Sequence, residues 1–262
     1  MNARTRAQLL ELNRRFYEAH AEAFDRSRGA RAWPGWHRLL ALLVPALRDP
    51  AASRPRLGRV LDVGCGNARL ACFLDEAGVA FDYTGVDANA ALLAAAQRQL
   101  PPAVAGTGRL IQQDFLAGPT PGDALPAGPF DLVVLMGVLH HVPGADWRLA
   151  LLRAATARLA PAGRLALTTW QFASDPRESG RRVAFEALGP VLGAPIDVGA
   201  LEPGDALLPF GADPLAPPRY CHAVADAEFE AWPRALGLAC LADFRADGPR
   251  GDSNRYALMR RR

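Results

Sequence analysis

The chain contains no lysine, and this absence removes one class of chemistry at the outset. All 30 basic residues among its 262 residues are arginines. Enzymes that work through a lysine Schiff base are therefore excluded. Arginine carries a planar guanidinium, which suits the recognition of carboxylate and phosphate groups. Against 27 acidic residues the net charge is only +3, which neither requires nor excludes a nucleic-acid partner.

Cysteine is scarce and long apolar runs are missing. The four cysteines form no C-x-x-C pair and fall short of the density of a secreted disulfide scaffold, so we expect reduced thiols. The longest apolar stretch, Leu39 to Leu47, is broken by Pro45 and is too short to span a bilayer, so no membrane association is expected. The first residues are rich in arginine and lack an apolar signal core, which predicts a cytoplasmic protein.

One stretch, from Val60 to Leu70, predicts a binding site. Apolar residues flank Asp62, two glycines follow at Gly64 and Gly66, and a helix-compatible run then begins. This pattern predicts a buried strand, a tight turn and the start of a helix. Glycine tolerates positive φ and leaves the main chain bare, so a bulky ligand can touch the backbone there. A nucleotide-like ligand is predicted.

The third glycine of a dinucleotide-binding fingerprint is absent from this turn. That fingerprint needs a small residue where the helix packs and the pyrophosphate approaches, and Arg69 stands at that position. NAD and FAD are therefore disfavoured as ligands.

Strands and helices alternate after the glycine turn, which predicts a parallel sheet with right-handed crossovers. A further helix is expected from Arg6 to Phe24 and another from Trp36 to Leu47, before a loop at Asp49 to Arg56. Between Gln171 and Val224 prolines and glycines recur and no period holds. The end of the chain predicts an antiparallel hairpin, formed by Ala239 to Ala246 and Asn254 to Arg260.

The glycine turn and three later motifs resemble the class I S-adenosylmethionine-dependent methyltransferases. The later motifs are Asp87 after the second strand, Gln113-Asp114-Phe115 after the third, and Phe130 to His141 at the fourth. The resemblance implies an α/β Rossmann-like fold: a mostly parallel seven-stranded sheet with helices on both faces and an antiparallel C-terminal hairpin. It also implies S-adenosylmethionine as the cofactor and methyl transfer as the reaction.

A narrower resemblance concerns the ends of the chain. Tyr17, Phe24, Arg28 and Trp33, and later the element Arg219-Tyr220-Cys221-His222, resemble the transfer-RNA wobble-uridine carboxymethyl methyltransferases and their relatives. Cys221 stands where that group has an aromatic residue. The implied organisation is a helical lid over residues 1–50 and a methyltransferase domain over 57–262, with a cap insertion at about 171–224.

The cofactor roles follow from these resemblances. Asp87, followed by Ala88, is expected to hold the ribose hydroxyls, with helix capping as the alternative. Asp114 and Phe115 are expected at the adenine, although a plain turn aspartate is an alternative for Asp114. Met136 ends the fourth strand, where the family places backbone against the adenosine and the methyl donor.

The methionine end of the cofactor is expected near the glycine turn and the lid. Asp62 and Asn67 would orient the turn or meet the ammonium group, with helix capping as a second interpretation for Asn67. Tyr17 would cover the methionine and Arg28 would pair with its carboxylate, unless that arginine simply lies on a solvated helix face.

The acceptor itself has several candidates. A carboxymethyl group on transfer RNA and a small-molecule metabolite are both compatible with the sequence. A non-catalytic subunit that binds the cofactor or a partner methyltransferase is a further alternative, and a small activator subunit is a candidate partner. Arg219 or Arg182 would hold an acceptor carboxylate, Tyr220 and His222 would shape its pocket, and His141 is a candidate general base. No metal is expected at the adjacent histidines, because neighbours on a helical turn point in different directions.

Overall fold

The computed structural model describes residues 1–28, 32–43, 55–210 and 217–261. Its strands are β1 (Arg56–Val63), β2 (Ala80–Asp87), β3 (Arg109–Gln112), β4 (Phe130–Leu135), β5 (Leu159–Trp170), β6 (Asp205–Leu208), β7 (Arg219–His222), β8 (Leu238–Ala246) and β9 (Asn254–Arg261). Its helices are α1 (Ala3–Arg28), α2 (Pro34–Leu43), α3 (Arg69–Glu76), α4 (Ala90–Gln99), α5 (Pro102–Ala105), α6 (Ala145–Ala157), α7 (Pro176–Ser179), α8 (Gly189–Leu192) and α9 (Asp226–Leu236).

Seven strands form one sheet in the order β3-β2-β1-β4-β5-β9-β8. The first five of these pair in parallel, whereas β9 runs antiparallel to both β5 and β8. The strands β1, β2 and β3 follow one another towards one edge of the sheet. After β3 the chain passes back across β2 and β1, so that β4 pairs with the other side of β1. The predicted fold, a mostly parallel sheet closed by an antiparallel C-terminal hairpin, is confirmed.

The central strands are apolar on both sides because each side packs under helices. Along β1, Val60 belongs to the core beneath α2 and α3, while its neighbour Leu61 belongs to the core beneath α6 and α9. The same alternation places Leu132 on the first side and Val133 on the second. Helices therefore cover both faces, and only the strand ends are left for a ligand.

The segment from 171 to 224 contains structure that the sequence pattern did not predict. β6 and β7 pair antiparallel as a separate two-stranded sheet, with Asp205 opposite His222 and Leu208 opposite Arg219. Short helical turns and the helices α7 and α8 precede this pair. β7 also packs against α1, because the buried Leu9, Leu12 and Tyr220 share one apolar cluster.

Several predicted boundaries need correction. α1 is longer than expected, since it runs from Ala3 to Arg28, and α6 starts after Gly144 with Asp146 in its first turn. The Asp146 carboxylate accepts two hydrogen bonds from Arg6 of α1. The predicted extension of α2 to Leu47 and most of the loop before β1 fall on residues outside the described ranges. Among the residues that are described, every helix is too short or too polar for a bilayer crossing.

Candidate active site

The turn after β1 presents bare main chain at the carboxyl end of the sheet. Gly64 and Gly66 have φ values of +71° and +54°, a conformation that favours glycine. The amides of Gly64 and Cys65 both donate to the Val86 carbonyl, at 2.8 and 3.1 Å. A Cβ on Gly64 would lie 2.5 Å from the Val138 side chain. The turn therefore requires glycine for its conformation at both positions and for space at Gly64.

This turn forms one wall of a cavity of about 840 Å³. The predicted residues that line it are Tyr17, Asp62, Gly64, Gly66, Asn67, Asp87, Ala88, Asp114, Phe115, Met136, His141 and Arg219. The backbone of Arg28 ends α1, but its side chain lies outside the described part of the structure. The strand ends and α1 thus bring nearly the whole predicted set together around one space.

Asp62 is a buried carboxyl group at the floor of the cavity. Its side chain accepts a hydrogen bond from the Tyr83 hydroxyl at 2.8 Å. Burial disfavours the ionised form, and the nearby Asp87 adds repulsion, so the pKa of Asp62 rises to about 7 despite the Tyr83 hydrogen bond. A cation placed opposite Asp62 would restore its ionised form.

Asp87 is held by the backbone around it. One oxygen accepts from the Gly66 amide at 2.9 Å and the other from the Asn89 amide at 2.8 Å. Burial raises the pKa of Asp87, and these backbone hydrogen bonds oppose the rise. Helix α4 is capped by Asn89, whose side chain accepts from the Leu92 amide. The capping alternative for Asp87 is therefore wrong, and its carboxylate is fixed beside the glycine turn.

Two further cofactor candidates connect the strand ends to α1. Asp114 accepts from the Leu116 amide at 2.9 Å and pairs with Arg14 of α1 at 3.3 Å. Asn67 donates to Asp25 of α1 at 2.5 Å. The residue that caps α3 is Ala68, so the capping interpretation of Asn67 is also wrong. Asp114 and Asn67 instead connect the strand ends to α1, which lies on the other side of the cavity.

Arg219 lies at the opposite end of the cavity, where β7 meets α1. It is 8% exposed, and its guanidinium lies 4.9 Å from the ring centre of Trp170, 5.6 Å from that of Phe16 and 6.0 Å from that of Phe210. Its Nε finds no hydrogen-bond partner in the described part of the chain. A buried guanidinium with an unmatched donor favours an anionic ligand in the cavity.

Tyr220 and His222 do not line this cavity, which corrects their predicted role at the acceptor. The Tyr220 hydroxyl donates to Asp205 at 2.7 Å, and the His222 Nδ1 lies 2.7 Å from the same carboxylate. Residues two apart on a strand point to the same face, so both side chains reach one buried network around Asp205 and Arg148. Arg182 is exposed and is not part of the cavity wall described here.

His140 and His141 both line the cavity, because the chain turns as a short 3₁₀ helix from Leu139 to His141. Their ring centres are 4.2 Å apart. The Nε2 of His141 lies 2.9 Å from the Tyr17 hydroxyl. His140 is buried and His141 is half-buried.

Some cavity residues carried no clear sequence signal. Trp170 ends β5, and the rule that ligands bind at the carboxyl ends of parallel strands could have found it. Asn13 lies inside α1, where its polar character looked like an ordinary helix position. Asp247 lies in the β8–β9 turn, and its approach to the cavity depends on how the hairpin packs on Gly35 of α2.

The sheet order, the glycine turn and the acidic residues at the strand ends define a class I methyltransferase. A model of the methyltransferase domain family matches residues 10–191, and the chain belongs to that family. S-adenosylmethionine is the cofactor of these enzymes.

Two curated relatives share part of the chain. Ribosomal RNA small subunit methyltransferase C of Chromohalobacter salexigens is 36% identical over 55% of this chain and 39% of its own length. Trans-aconitate 2-methyltransferase of Streptomyces avermitilis is 38% identical over 49% of this chain and 42% of its own length. The chain therefore spans about two fifths of the length of these relatives.

A solved structure matches the whole chain. The 1,6-didemethyltoxoflavin-N1-methyltransferase of Burkholderia thailandensis, determined with 1,6-didemethyltoxoflavin and S-adenosylhomocysteine bound, superposes with a TM-score of 0.61. The match covers 100% of this chain and 91% of that one, at 18% identity. At this identity the likeness shows the fold alone.

Proposed function

We propose that this protein transfers a methyl group from S-adenosylmethionine to a small anionic molecule enclosed beneath α1. The observation that carries the proposal is a single cavity running from the glycine turn to the buried Arg219. Its volume of about 840 Å³ is at the upper end of the usual range for small-molecule sites, roughly 300–1,000 Å³. Such a cavity has space for a cofactor and a second small molecule.

The residues at the strand ends suit S-adenosylmethionine. The raised pKa of Asp62, near 7, marks a carboxyl group that an ammonium would stabilise in its charged form. Gly64 and Gly66 would leave room for the methionine, Asp87 would accept from the ribose hydroxyls, and Asp114 with Phe115 would hold the adenine. When bound, the cofactor supplies a methyl group already activated on a positively charged sulfur.

The protein's own contribution is to position the acceptor and exclude water. Arg219 would bind the anionic group of the acceptor, with Trp170 and Phe16 around it. We propose that α1 acts as a lid, since its residues Tyr17 and Asn13 lie over the cavity and its Arg14 reaches Asp114 on the other side.

A carboxymethyl group on transfer RNA is the alternative acceptor. Arg219 could equally hold a carboxylate carried by RNA, which is the acceptor that the narrower resemblance implies. The enclosure of Arg219 beneath α1 favours the small molecule, because a nucleotide within a polymer would need an open path to solvent.

Calorimetry tests the cofactor assignment directly. We expect heat on titration with S-adenosylmethionine and with S-adenosylhomocysteine, and about 100-fold weaker binding in Asp87→Ala, because hydrogen bonds to a charged group are worth roughly 1.5–3 kcal/mol each. Asp82→Ala is the matched control, since Asp82 lies on the same strand but pairs with Arg56 at the surface. No heat with either ligand would refute the proposal.

Labelled methyl transfer separates the two acceptor classes. The protein is incubated with methyl-labelled S-adenosylmethionine and either the small-molecule or the RNA fraction of cells from its own organism. We expect label in the small-molecule fraction, with little dependence on salt. Label in RNA, with a steep loss as salt rises through phosphate contacts, would favour the transfer-RNA alternative. Binding without transfer to either fraction would favour a non-catalytic subunit.

A further inference from the structure

His141 is held by a contact at each ring nitrogen. Its Nδ1 lies 3.0 Å from the Tyr220 carbonyl oxygen and its Nε2 lies 2.9 Å from the Tyr17 hydroxyl. A carbonyl oxygen only accepts hydrogen bonds, so Nδ1 carries the proton. In the neutral ring Nε2 is then the accepting nitrogen, and the Tyr17 hydroxyl donates to it.

Asn13 of α1 fixes this arrangement from the other side. Its side-chain oxygen accepts from the Tyr220 amide at 2.8 Å, and its Nδ2 donates to the His141 carbonyl at 3.4 Å. The Asn13 side chain thus hydrogen-bonds to the main chain of both His141 and Tyr220. Tyr220 is the strand residue whose carbonyl sets the tautomer of His141. Asn13 is itself buried, so these contacts are shielded from water.

The Tyr17–His141 pair faces the cavity that also contains Arg219. Other ionisable groups near His141 are His140, on the same turn, and Cys221, whose sulfur lies 3.9 Å from Nδ1. Burial raises the pKa of the Cys221 thiol to about 12, so it stays protonated and does not compete as a base. The Tyr17 hydroxyl lies between the cavity and Nε2 of His141. His141 is therefore the base that can accept a proton from the cavity, through Tyr17.

We propose, building on the function proposed above, that Tyr17 and His141 form a proton relay and that the acceptor is methylated on an O–H or N–H group while its anionic group is bound at Arg219. The acceptor proton moves to the Tyr17 oxygen as the Tyr17 proton moves to Nε2 of His141. The acceptor heteroatom uses its lone pair to bond the methyl carbon, and the electron pair of the broken C–S bond stays on sulfur. The imidazolium then returns its proton to solvent.

This relay distinguishes between accepting atoms. A carboxylate is already ionised at neutral pH and gains nothing from a base. A hydroxyl or amine keeps its proton at that pH, and a positioned base typically adds about 10²–10⁴-fold to the rate. The relay also depends on α1, since Tyr17 is part of α1 and His141 is part of the sheet domain.

Nitrogen NMR of histidine-labelled protein saturated with S-adenosylhomocysteine tests the pair without any acceptor. His141→Gln identifies the His141 signals. We expect a proton on Nδ1 and none on Nε2 of the neutral ring, and a shift of the Nε2 signal in Tyr17→Phe. A proton on Nε2, or an Nε2 signal that Tyr17→Phe leaves in place, would overturn the relay.

The pH profile of methyl transfer to the labelled small-molecule fraction tests its chemical role. Tyr17→Phe and His141→Gln should each lower the rate at about pH 7 by 100-fold or more, and the loss should shrink at higher pH as the acceptor ionises by itself. His37→Gln, an exposed histidine on α2, should match the wild type. A loss that is the same at every pH would indicate packing alone and would overturn the relay. Failure of the proposed function would be recognised separately, by the absence of cofactor binding in calorimetry.

Discussion

At the scale of single residues, burial decides the chemistry of Asp62. Its carboxyl group is buried among the strands around β1, and its pKa rises from 3.8 to about 7. The folded state therefore binds a proton that the unfolded state has released between about pH 4 and pH 7. Stability contributed at this site is greatest below pH 4 and falls as the pH rises to 7, by roughly 4 kcal/mol in all.

Asp62→Asn removes this pH-dependent cost while keeping an oxygen that can accept from Tyr83. We expect the ligand-free variant to be more stable than the wild type at about pH 8 and the difference to fade towards pH 4. Urea unfolding at several pH values measures it, with the exposed Asp123→Asn as the control. The same variant should bind S-adenosylmethionine more weakly, because it offers no charge to the ammonium. An unchanged difference across the pH range would contradict the assignment.

At the scale of elements, α1 is attached to the cavity by polar contacts at separate points along its length. Asn13 contacts the His141 carbonyl and the Tyr220 amide, while Asp25 reaches Asn67 on the far side. Asn13→Ala would leave the buried Tyr220 amide without its acceptor, at a cost of about 1–3 kcal/mol. We expect faster hydrogen exchange along α1 in this variant than in the wild type.

Hydrogen exchange followed by mass spectrometry resolves this effect by peptide. Peptides from β8 should keep their exchange rate, since β8 is an edge strand of the sheet and pairs with β9. Glu22→Ala is the matched control, because Glu22 is an exposed residue of α1 whose carboxylate pairs with Arg26 one turn further along the same helix. Equal exchange of α1 in Asn13→Ala and the wild type would mean that other contacts hold the helix.

Elements with a repeating pattern were predictable and elements that depend on distant partners were not. The motif from Phe130 to His141 predicted the fourth strand, and the two glycines beyond Asp62 predicted the turn. β6 and β7 were missed because each has four residues and pairs across a proline-rich segment that carries no period. Tyr83 as the partner of Asp62, and Asn13 as the partner of His141, depend on packing that no local spacing records.

At the scale of the whole molecule, a buried ionic network joins residues between 171 and 224 to two helices that pack on the seven-stranded sheet. Arg148 of α6 is 1% exposed and binds Glu228 of α9 at 2.7 Å and Glu202 before β6 at 3.0 Å. Next to it, His222 of β7 lies 2.7 Å from Asp205. Four elements distant in sequence are thereby linked through charged groups. Removing a partner from such a network is costly, because the remaining charge is left buried.

The protonation of His222 makes this linkage depend on pH. Burial favours the neutral ring, but the hydrogen bond to Asp205 and the Glu228 carboxylate, which lies 3.8 Å from Nε2, outweigh it and raise the pKa of His222 above its usual 6.5. Burial raises the pKa of Glu228, but His222 and Arg148 outweigh that effect and lower it to about 2. The contribution of His222 is therefore complete below pH 6.5 and is lost as the pH rises through its raised pKa. The contribution of Glu228 is complete above its usual 4.5 and is lost as the pH falls towards 2.

His222→Gln should accordingly destabilise the protein more at about pH 5.5 than at about pH 9, because the wild-type imidazolium contributes only at the lower pH. Urea unfolding at the two pH values measures the difference, and His37→Gln should show little change at either. If His222→Gln cost the same at both, the ring would be neutral throughout and the network would rest on Arg148 alone. If the cost is concentrated at the lower pH, the strands β6 and β7 are attached to α6 and α9 through a protonated histidine, and their attachment weakens as the pH rises.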